Sequence, residues 1–320
     1  MPAPPQVLVL DDLEGRIEAA SAMTRMRDVA EVDFARRPIA DIPDEELSDV
    51  RVVMAVRERT KFDAATFDRL PSLELILQTG GHAYHVDADA ARDRGVRVAL
   101  GRGGTATRAS VPELTFALLL GCMRDLPGAQ RAMTDGAWPR LTGRTLAGRR
   151  LGILGTGRQG TQVARVAEAF GMEVVAWKRP GSKAGDDGIE RVDLETLLGT
   201  ADVVSIHLRL ADESRGLLGA SEFAKLKQGA ILVNTARGAI VDEVAMIRAL
   251  RNGPLTAAGL DVFAEEPLAV DSPLRSMPNV VLTPHIGWTV EEVFDEFAAI
   301  ATRQLEAYVD GTLSPDELLS

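Results

Sequence analysis

Arg150-Leu-Gly-Ile-Leu-Gly-Thr-Gly-Arg-Gln-Gly160 is the stretch on which the fold turns. Arg150–Leu154 reads as a short buried strand. Gly155, Gly157 and Gly160 then punctuate a tight turn. The residues beyond carry Val163, Val166, Ala167 and Phe170 at i, i+3, i+4 and i+7, the spacing of one helix face. Glycines in this pattern mean little alone, but between a strand and a helix they acquire a mechanism. They let the backbone approach a pyrophosphate, and the free N–H groups of the helix start receive its charge. The segment therefore predicts a dinucleotide site.

Outward from this turn, short β-rich runs alternate with helix-period segments. Before it lie Gln6–Leu10, Val29–Phe34, Arg51–Val56, Leu73–Thr79 and Val96–Leu100, with helical stretches at Phe62–Leu70 and Asp87–Arg94. A glycine-rich segment, Gly101–Thr105, reads as a hinge. A long apolar helix follows from about Val111 to Leu126, then a loop over Asp135–Gly148. After Arg150–Leu154 come Glu173–Trp177, Val203–Leu208, Ile231–Asn234, Ala257–Leu260 and Val280–Thr283. The alternation predicts an α/β fold with parallel sheets. The last helical stretch, Val290–Tyr308, has Val293, Phe297 and Ile300 on one face and is expected to pack back on the first domain. The expected organisation is two doubly wound domains: a substrate domain of residues 1–104 plus 289–320, interrupted by a dinucleotide-binding domain of residues 105–288.

Composition narrows the function classes. The 320 residues are 46% hydrophobic, enough for a sizeable core, and the net charge of -11 disfavours a nucleic-acid partner. Cys122 is the one cysteine, so no intrachain disulfide forms, which fits a reducing compartment. Val7–Leu10 is too short for a leader's apolar core, and Leu114–Met123 is too short to span a bilayer. A cytoplasmic protein without membrane contact is expected.

Two cations, Lys178 and Arg179, follow strand Glu173–Trp177, where sites for NAD usually place an acid on the ribose hydroxyls. Cations there suit a 2′-phosphate, so NADP is favoured slightly over NAD. Three chemically useful residues sit after late strands of the same domain, at the sheet edge where ligands bind. Arg237 can grip a carboxylate and polarise a 2-oxo group. His285, in Thr283-Pro-His-Ile-Gly287, can give or take a proton near neutrality. Glu266 can orient the imidazole and favour its charged form. His82 and His85 have metal-like spacing, but no third ligand is evident and no metal is expected. His207 ends a strand and is expected to line the cofactor site.

Together, Leu151–Gly160, Ala169-Phe-Gly-Met172, Asp202-Val-Val-Ser-Ile-His207, Leu232-Val-Asn-Thr-Ala-Arg-Gly238, Gly259-Leu-Asp-Val-Phe263 with Glu266-Pro267, and Thr283-Pro-His-Ile-Gly287 resemble the D-isomer-specific 2-hydroxyacid dehydrogenases. Within that family, glyoxylate or hydroxypyruvate reductases and short phosphoglycerate dehydrogenase-like members are the nearest in pattern. The resemblance covers nearly the whole chain and is most specific over residues 150–288. It implies a Rossmann cofactor domain inserted in a flavodoxin-like substrate domain. Arg237, Glu266 and His285 would be the catalytic set. The resemblance further places Arg158 and Gln159 over the pyrophosphate, and Thr235, Ala236, Asp261 and Gly287 toward the nicotinamide end. The backbone of Gly80-Gly81 would receive the substrate carboxylate across a cleft, and the long helix near 111–126 would serve a homodimer.

Three departures stand out. Lys178 occupies the place of the acidic ribose ligand, Arg209 stands where relatives often have Pro, and Ala83 stands where they often carry Asn. The expected function is hydride transfer between a nicotinamide cofactor and C2 of a small D-2-hydroxy or 2-oxo acid. The alternative is a nicotinamide-sensing binding protein, like the corepressors that resemble this family. L-lactate-type enzymes place the glycine turn at the N-terminus, and formate dehydrogenases have no acidic proton to move, so neither fits as well.

Overall fold

The apolar runs of the first hundred residues form five parallel strands: β1 (Gln6–Leu10), β2 (Glu31–Phe34), β3 (Val52–Ala55), β4 (Leu75–Gln78) and β5 (Arg97–Leu100). Their order across the sheet is β2-β1-β3-β4-β5. The inner strands β3 and β4 are buried along their whole length, as strands covered on both faces must be. The edge strand β2 is only partly covered and alternates in exposure. The computed structural model describes residues 3–179 and 187–319. The chain divides into one unit of residues 1–106 with 289–320 and another of residues 107–288.

Leu10, Leu47, Val53, Phe62, Phe67 and Ile76 belong to the core of the first unit. Asp63 and Asp87 start the helices Ala64–Asp68 and Ala88–Asp93, where their carboxylates accept from Thr66 N at 3.1 Å and Ala90 N at 2.9 Å. The helix Glu291–Val309 packs against the helix Ala22–Val29 of this unit. From it, buried Gln304 donates to Leu100 O at 2.9 Å, and beyond it Leu319 N donates to Val98 O at 2.8 Å. Apolar residues flanking the strands lie in turns instead: Leu73, expected in a strand, donates its N–H to Leu70 O at 3.1 Å.

The second unit holds β6 (Arg150–Leu154), β7 (Glu173–Trp177), β8 (Glu190–Val192), β9 (Val203–Ile206), β10 (Ala230–Asn234), β11 (Leu255–Leu260) and β12 (Val280–Leu282). Among the described residues they form one parallel sheet in the order β12-β11-β10-β9-β6-β7-β8. The winding reverses between β6 and β9, which opens a crevice beyond their carboxyl ends. The helices Arg158–Ala169 and Thr107–Arg124 pack on one another, and the second also lies against β10, β11 and β12.

Two further features differ from the sequence reading. The edge strand β8 has no counterpart in that reading, because three residues are too few to show a period. The long apolar helix ends at Arg124 and not at Leu126. Asp125 turns left-handed at φ 47° and its carboxylate accepts from Gly128 N at 3.2 Å, starting a separate helix, Leu126–Thr134, with Pro127 in its first turn. Among the described residues no helix is long and apolar enough to cross a membrane.

Candidate active site

Beyond β6 the chain turns at Gly155, with φ 103°. A Cβ on Gly155 would lie 2.7 Å from His207 O, and one on Gly160 would lie 2.0 Å from Gly155 O. The first and third glycines therefore allow the turn and the helix to close on each other. A Cβ on Gly157 would meet nothing within 4 Å, so the middle glycine borders open space. Gly157 is also the N-cap of the helix Arg158–Ala169 and supplies no side-chain cap, which leaves that helix's first N–H groups for an anion. Arg158 and Gln159 are the first two residues of the helix. Tight turn, open middle and uncapped helix start fit a dinucleotide pyrophosphate.

His207 follows β9 beside this turn. Its Nε2 lies 2.8 Å from Ser205 Oγ, and burial pushes the imidazole down to about 4, so the ring is neutral at physiological pH. Lys178 and Arg179 follow β7, with Lys178 N donating to Val192 O at 2.7 Å. Arg179 is exposed and 3.8 Å from Glu213. A cation the sequence reading missed, Arg191 on β8, donates to Thr156 Oγ1 inside the glycine turn at 3.2 Å and pairs with Asp187 at 2.6 Å. Only the fold reveals it, because β8 returns beside β7.

Three neighbouring strands of the same sheet, β10, β11 and β12, deliver the predicted catalytic residues. After β10, buried Asn234 closes a turn: its Oδ1 accepts from Ala236 N and its Nδ2 donates to Arg237 O, both at 3.0 Å. This side chain fixes the Arg237 backbone and was not singled out from the sequence. A buried polar residue at a strand end within the quoted motif was the available signal. Thr235 lies buried with its hydroxyl 3.0 Å from Thr115 Oγ1. A Cβ on Gly238, the residue after Arg237, would fall 1.9 Å from Phe263 C and O, so the Arg237 loop is pressed onto the backbone leading to Glu266.

Glu266 Oε1 accepts from Phe263 N at 2.9 Å, and Glu266 Oε2 lies 2.7 Å from His285 Nδ1. Burial by itself raises the Glu266 carboxyl, but the bond and charge of His285, the Phe263 N–H and the charge of Arg237 outweigh it and hold the group below its ordinary value. The carboxylate is thus ionised and faces the ring. His285 adopts φ 55°, a left-handed backbone that a β-carbon makes costly. Asp261 secures the segment on both sides of it. Its Oδ1 accepts from Thr283 Oγ1 at 2.6 Å and Ile286 N at 2.8 Å, and its Oδ2 accepts from Gly287 N at 2.9 Å. Burial raises the Asp261 carboxyl despite these bonds. With Nδ1 engaged by Glu266, the Nε2 of His285 is the atom suited to proton exchange.

In the first unit, Gly80 and Gly81 follow β4. Gly80 O accepts from Gly101 N at 3.0 Å, and Gly81 is exposed, with nothing within 4 Å of where its Cβ would stand.

Residues 116–287 match the family model for the D-isomer specific 2-hydroxyacid dehydrogenase, NAD binding domain. The chain is 38% identical over 267 residues to a glyoxylate reductase of Aeropyrum pernix, covering 80% of this chain and 79% of that one. It is 39% identical over 243 residues to a D-3-phosphoglycerate dehydrogenase of Archaeoglobus fulgidus, covering 75% of this chain and 46% of that one. The chain spans about half the length of the phosphoglycerate dehydrogenases it matches. Among solved structures, the TT0316 protein of Thermus thermophilus superposes with a TM-score of 0.86 at 35% identity, covering 98% of this chain and 100% of that one. The chain belongs to the D-isomer specific 2-hydroxyacid dehydrogenase family.

Proposed function

We propose that the protein is a nicotinamide-dependent oxidoreductase acting at C2 of a small D-2-hydroxy or 2-oxo acid. The observation that carries this reading is the 2.7 Å contact between His285 Nδ1 and Glu266 Oε2, in the same sheet as the open glycine turn. When bound, the nicotinamide supplies or accepts the hydride. Gly155, Gly157, Arg158, Gln159 and Gly160 would hold its pyrophosphate, and Thr235, Ala236 and Gly287 would border its nicotinamide end. Asp261 has about four lone-pair sites, and three donors already use it, so one acceptor position remains for that end.

Arg237 holds the acid and polarises its carbonyl. In the reductive direction His285 Nε2 donates the proton that the new alkoxide requires, while ionised Glu266 stabilises the charged ring and fixes its orientation. In the oxidative direction the same nitrogen takes the proton. In the first unit, the amides of Gly80 and Gly81 are the proposed receivers of the substrate carboxylate. Names of similar proteins support this class of substrate, since they include a glyoxylate reductase and a hydroxypyruvate reductase. A sensor that binds the cofactor without turnover is the second reading, and it leaves the Glu266–His285 pair without a task.

Lys178 and Arg179 favour NADP over NAD, with His207 as a neutral neighbour of the turn. Exposed Leu126, Met133, Trp138 and Leu141, on or just after the helix Leu126–Thr134, favour a homodimer, and the proposed compartment is the cytoplasm, where the lone Cys122 stays reduced. The test is the initial rate of NADPH and of NADH oxidation with glyoxylate and hydroxypyruvate, for the wild type and Lys178→Ser. The expected result is turnover with both acids and an NADPH preference that falls by about tenfold in the variant, the effect of losing one charge-assisted phosphate contact. An unchanged preference removes NADP from the proposal. Absence of turnover across a broad panel of 2-oxo acids removes the enzyme.

A further inference from the structure

The first unit contains a second cluster of charged and polar groups at the carboxyl edge of its own sheet. The order β2-β1-β3-β4-β5 reverses its winding between β1 and β3, and that is where an open α/β sheet receives ligands. Asp11 and Arg57, just beyond those two strands, both adopt left-handed backbone, with φ 63° and 62°. Neither is glycine, and two such conformations on the two sides of one switch point mark a functional edge.

Several contacts organise this edge. Arg57 N donates to Thr79 Oγ1 at 2.9 Å, and its guanidinium lies against Gly80, where a Cβ would be 3.0 Å from Arg57 Nη1. Glu58 Oε2 is 3.4 Å from Arg57 Nε, and Glu58 Oε1 is 3.1 Å from His82 Nδ1. Gln78 is 1% exposed, and its Oε1 is buried without a hydrogen-bond partner beside this loop, while its Nε2 donates to His82 O at 3.2 Å. Both ring nitrogens of His85 are likewise buried without partners. Unpaired buried polar atoms of this kind are costly unless water or a ligand completes them, and a ligand hydroxyl can take the place of such a water.

The carboxylates of this edge outnumber its guanidinium groups before any ligand arrives. Arg59 is paired through both nitrogens with Glu14, at 2.7 and 2.5 Å. Asp11 accepts from Thr60 Oγ1 at 2.5 Å. Burial lowers the His85 imidazole, more than the Glu58 charge raises it, so this ring brings no cation. Two guanidinium groups thus face three carboxylates: Asp11, Glu14 and Glu58. One substrate carboxylate at Gly80-Gly81 would use the remaining attraction of Arg57, and a second anionic group would stand against Glu58.

We propose that Glu58 makes this edge a subsite for an uncharged polar substituent on the acid and excludes phosphorylated acids. Glu58 is then a specificity-determining residue, with the Gln78 carbonyl and the neutral His85 ring as hydrogen-bonding partners for a hydroxyl. This rests on the proposed oxidoreductase reading and names the substrate class of that site. It also separates the chain from the phosphoglycerate dehydrogenases it resembles, although their names recur among its relatives.

The experiment compares kcat/KM for hydroxypyruvate and 3-phosphohydroxypyruvate in the wild type and in Glu58→Gln, with calorimetric binding of D-glycerate and D-3-phosphoglycerate to both proteins. Like-charge juxtaposition is expected to disfavour the phosphorylated acid by about tenfold or more in the wild type, and Glu58→Gln is expected to erase most of that difference by raising the value for the phosphorylated acid. Wild-type preference for the phosphorylated acid overturns the inference, and so does a discrimination unchanged by Glu58→Gln. The wild-type comparison decides even if the variant does not fold. If no 2-oxo acid turns over, the enzyme reading fails by itself, and the binding comparison still tests Glu58.

Discussion

The two units use the same device, a parallel sheet whose winding reverses, and equip its carboxyl edge differently. In the second unit the edge has one face bare for phosphate, at Gly157, and one histidine held by one carboxylate. Its polar side chains are engaged: Asn234 with its own turn, Asp261 with the loop around His285, Glu266 with Phe263 and His285. In the first unit the edge contains buried polar atoms without side-chain or backbone partners, at Gln78 and His85, among carboxylates that outnumber the guanidinium groups. The edge proposed to move a proton is the one whose side chains are engaged, as a reacting group that needs one tautomer and one direction requires. The edge proposed to recognise a substituent is the one that keeps acceptors and donors in reserve. The shared architecture therefore sets where a ligand goes, and the hydrogen-bond balance of each edge sets what happens there.

Replacement of His285 by Ala is the strongest way to break this contrast. Loss of the proposed general acid/base is expected to lower turnover by about 10²–10⁴-fold. Cofactor affinity, followed by quenching of protein fluorescence, is expected to change little, because the glycine turn follows β6, which three strands separate from β12 in the sheet order. Retained turnover would mean that the wired edge is only structural.

Glu266→Gln sharpens the comparison through charge alone, keeping the side chain's shape. Turnover is expected to fall by roughly ten- to a hundredfold, less than removing the acid/base itself. The same variant has a pH signature. The Glu266 carboxyl is held below its ordinary 4.5, so the folded state binds its proton less readily than the unfolded chain does. Its contribution to stability is present above that ordinary value and is lost as pH falls through the lowered one. Thermal unfolding measured between about pH 7 and pH 3 is expected to show a smaller acid-side loss for Glu266→Gln than for the wild type. Parallel acid-side curves would show that the carboxylate is not stabilised by His285.

Much of this was legible in the sequence because it depends on local pattern. The strands Gln6–Leu10, Arg150–Leu154 and Glu173–Trp177 are found at the bounds their apolar runs predict, and Gly155-x-Gly157-x-x-Gly160 announces its own geometry. Arg237, Glu266 and His285 could be picked out because each follows a recognisable strand, and Glu266 and His285 do meet. What escaped was set by neighbours distant in sequence. β8 exists only because β7 offers it an edge, and Arg191 reaches Thr156 only through that pairing. The helix break at Asp125 rests on one left-handed residue inside an apolar pattern that continues through Leu126. Arg57 and Glu58 were not singled out, because only the pairing of β3 with β1 and β4 brings Asp11 and Gln78 to the same edge.

The smallest effect comes from adding one methyl group to each edge. Gly238 and Gly81 both lie beyond strands, one beside Arg237 and the other in the proposed machinery itself, so thermal stability is the readout and not activity. A Cβ at Gly238 would fall 1.9 Å from the Phe263 carbonyl, a backbone atom that cannot rotate away, so Gly238→Ala must push the Arg237 and Glu266 loops apart. Overpacking of this kind costs about 1–3 kcal/mol, or roughly 2–4 °C of unfolding midpoint per kcal/mol in a chain of this size. At Gly81 the same methyl enters open space without a left-handed φ to forbid it, and Ala there narrows the unfolded ensemble, so Gly81→Ala is expected to hold or slightly raise the midpoint. The sign of the difference between the two variants is the measurement. Equal losses would mean that the first edge is packed as tightly as the second, and a packed edge would have no room for the substituent that Glu58 is proposed to select.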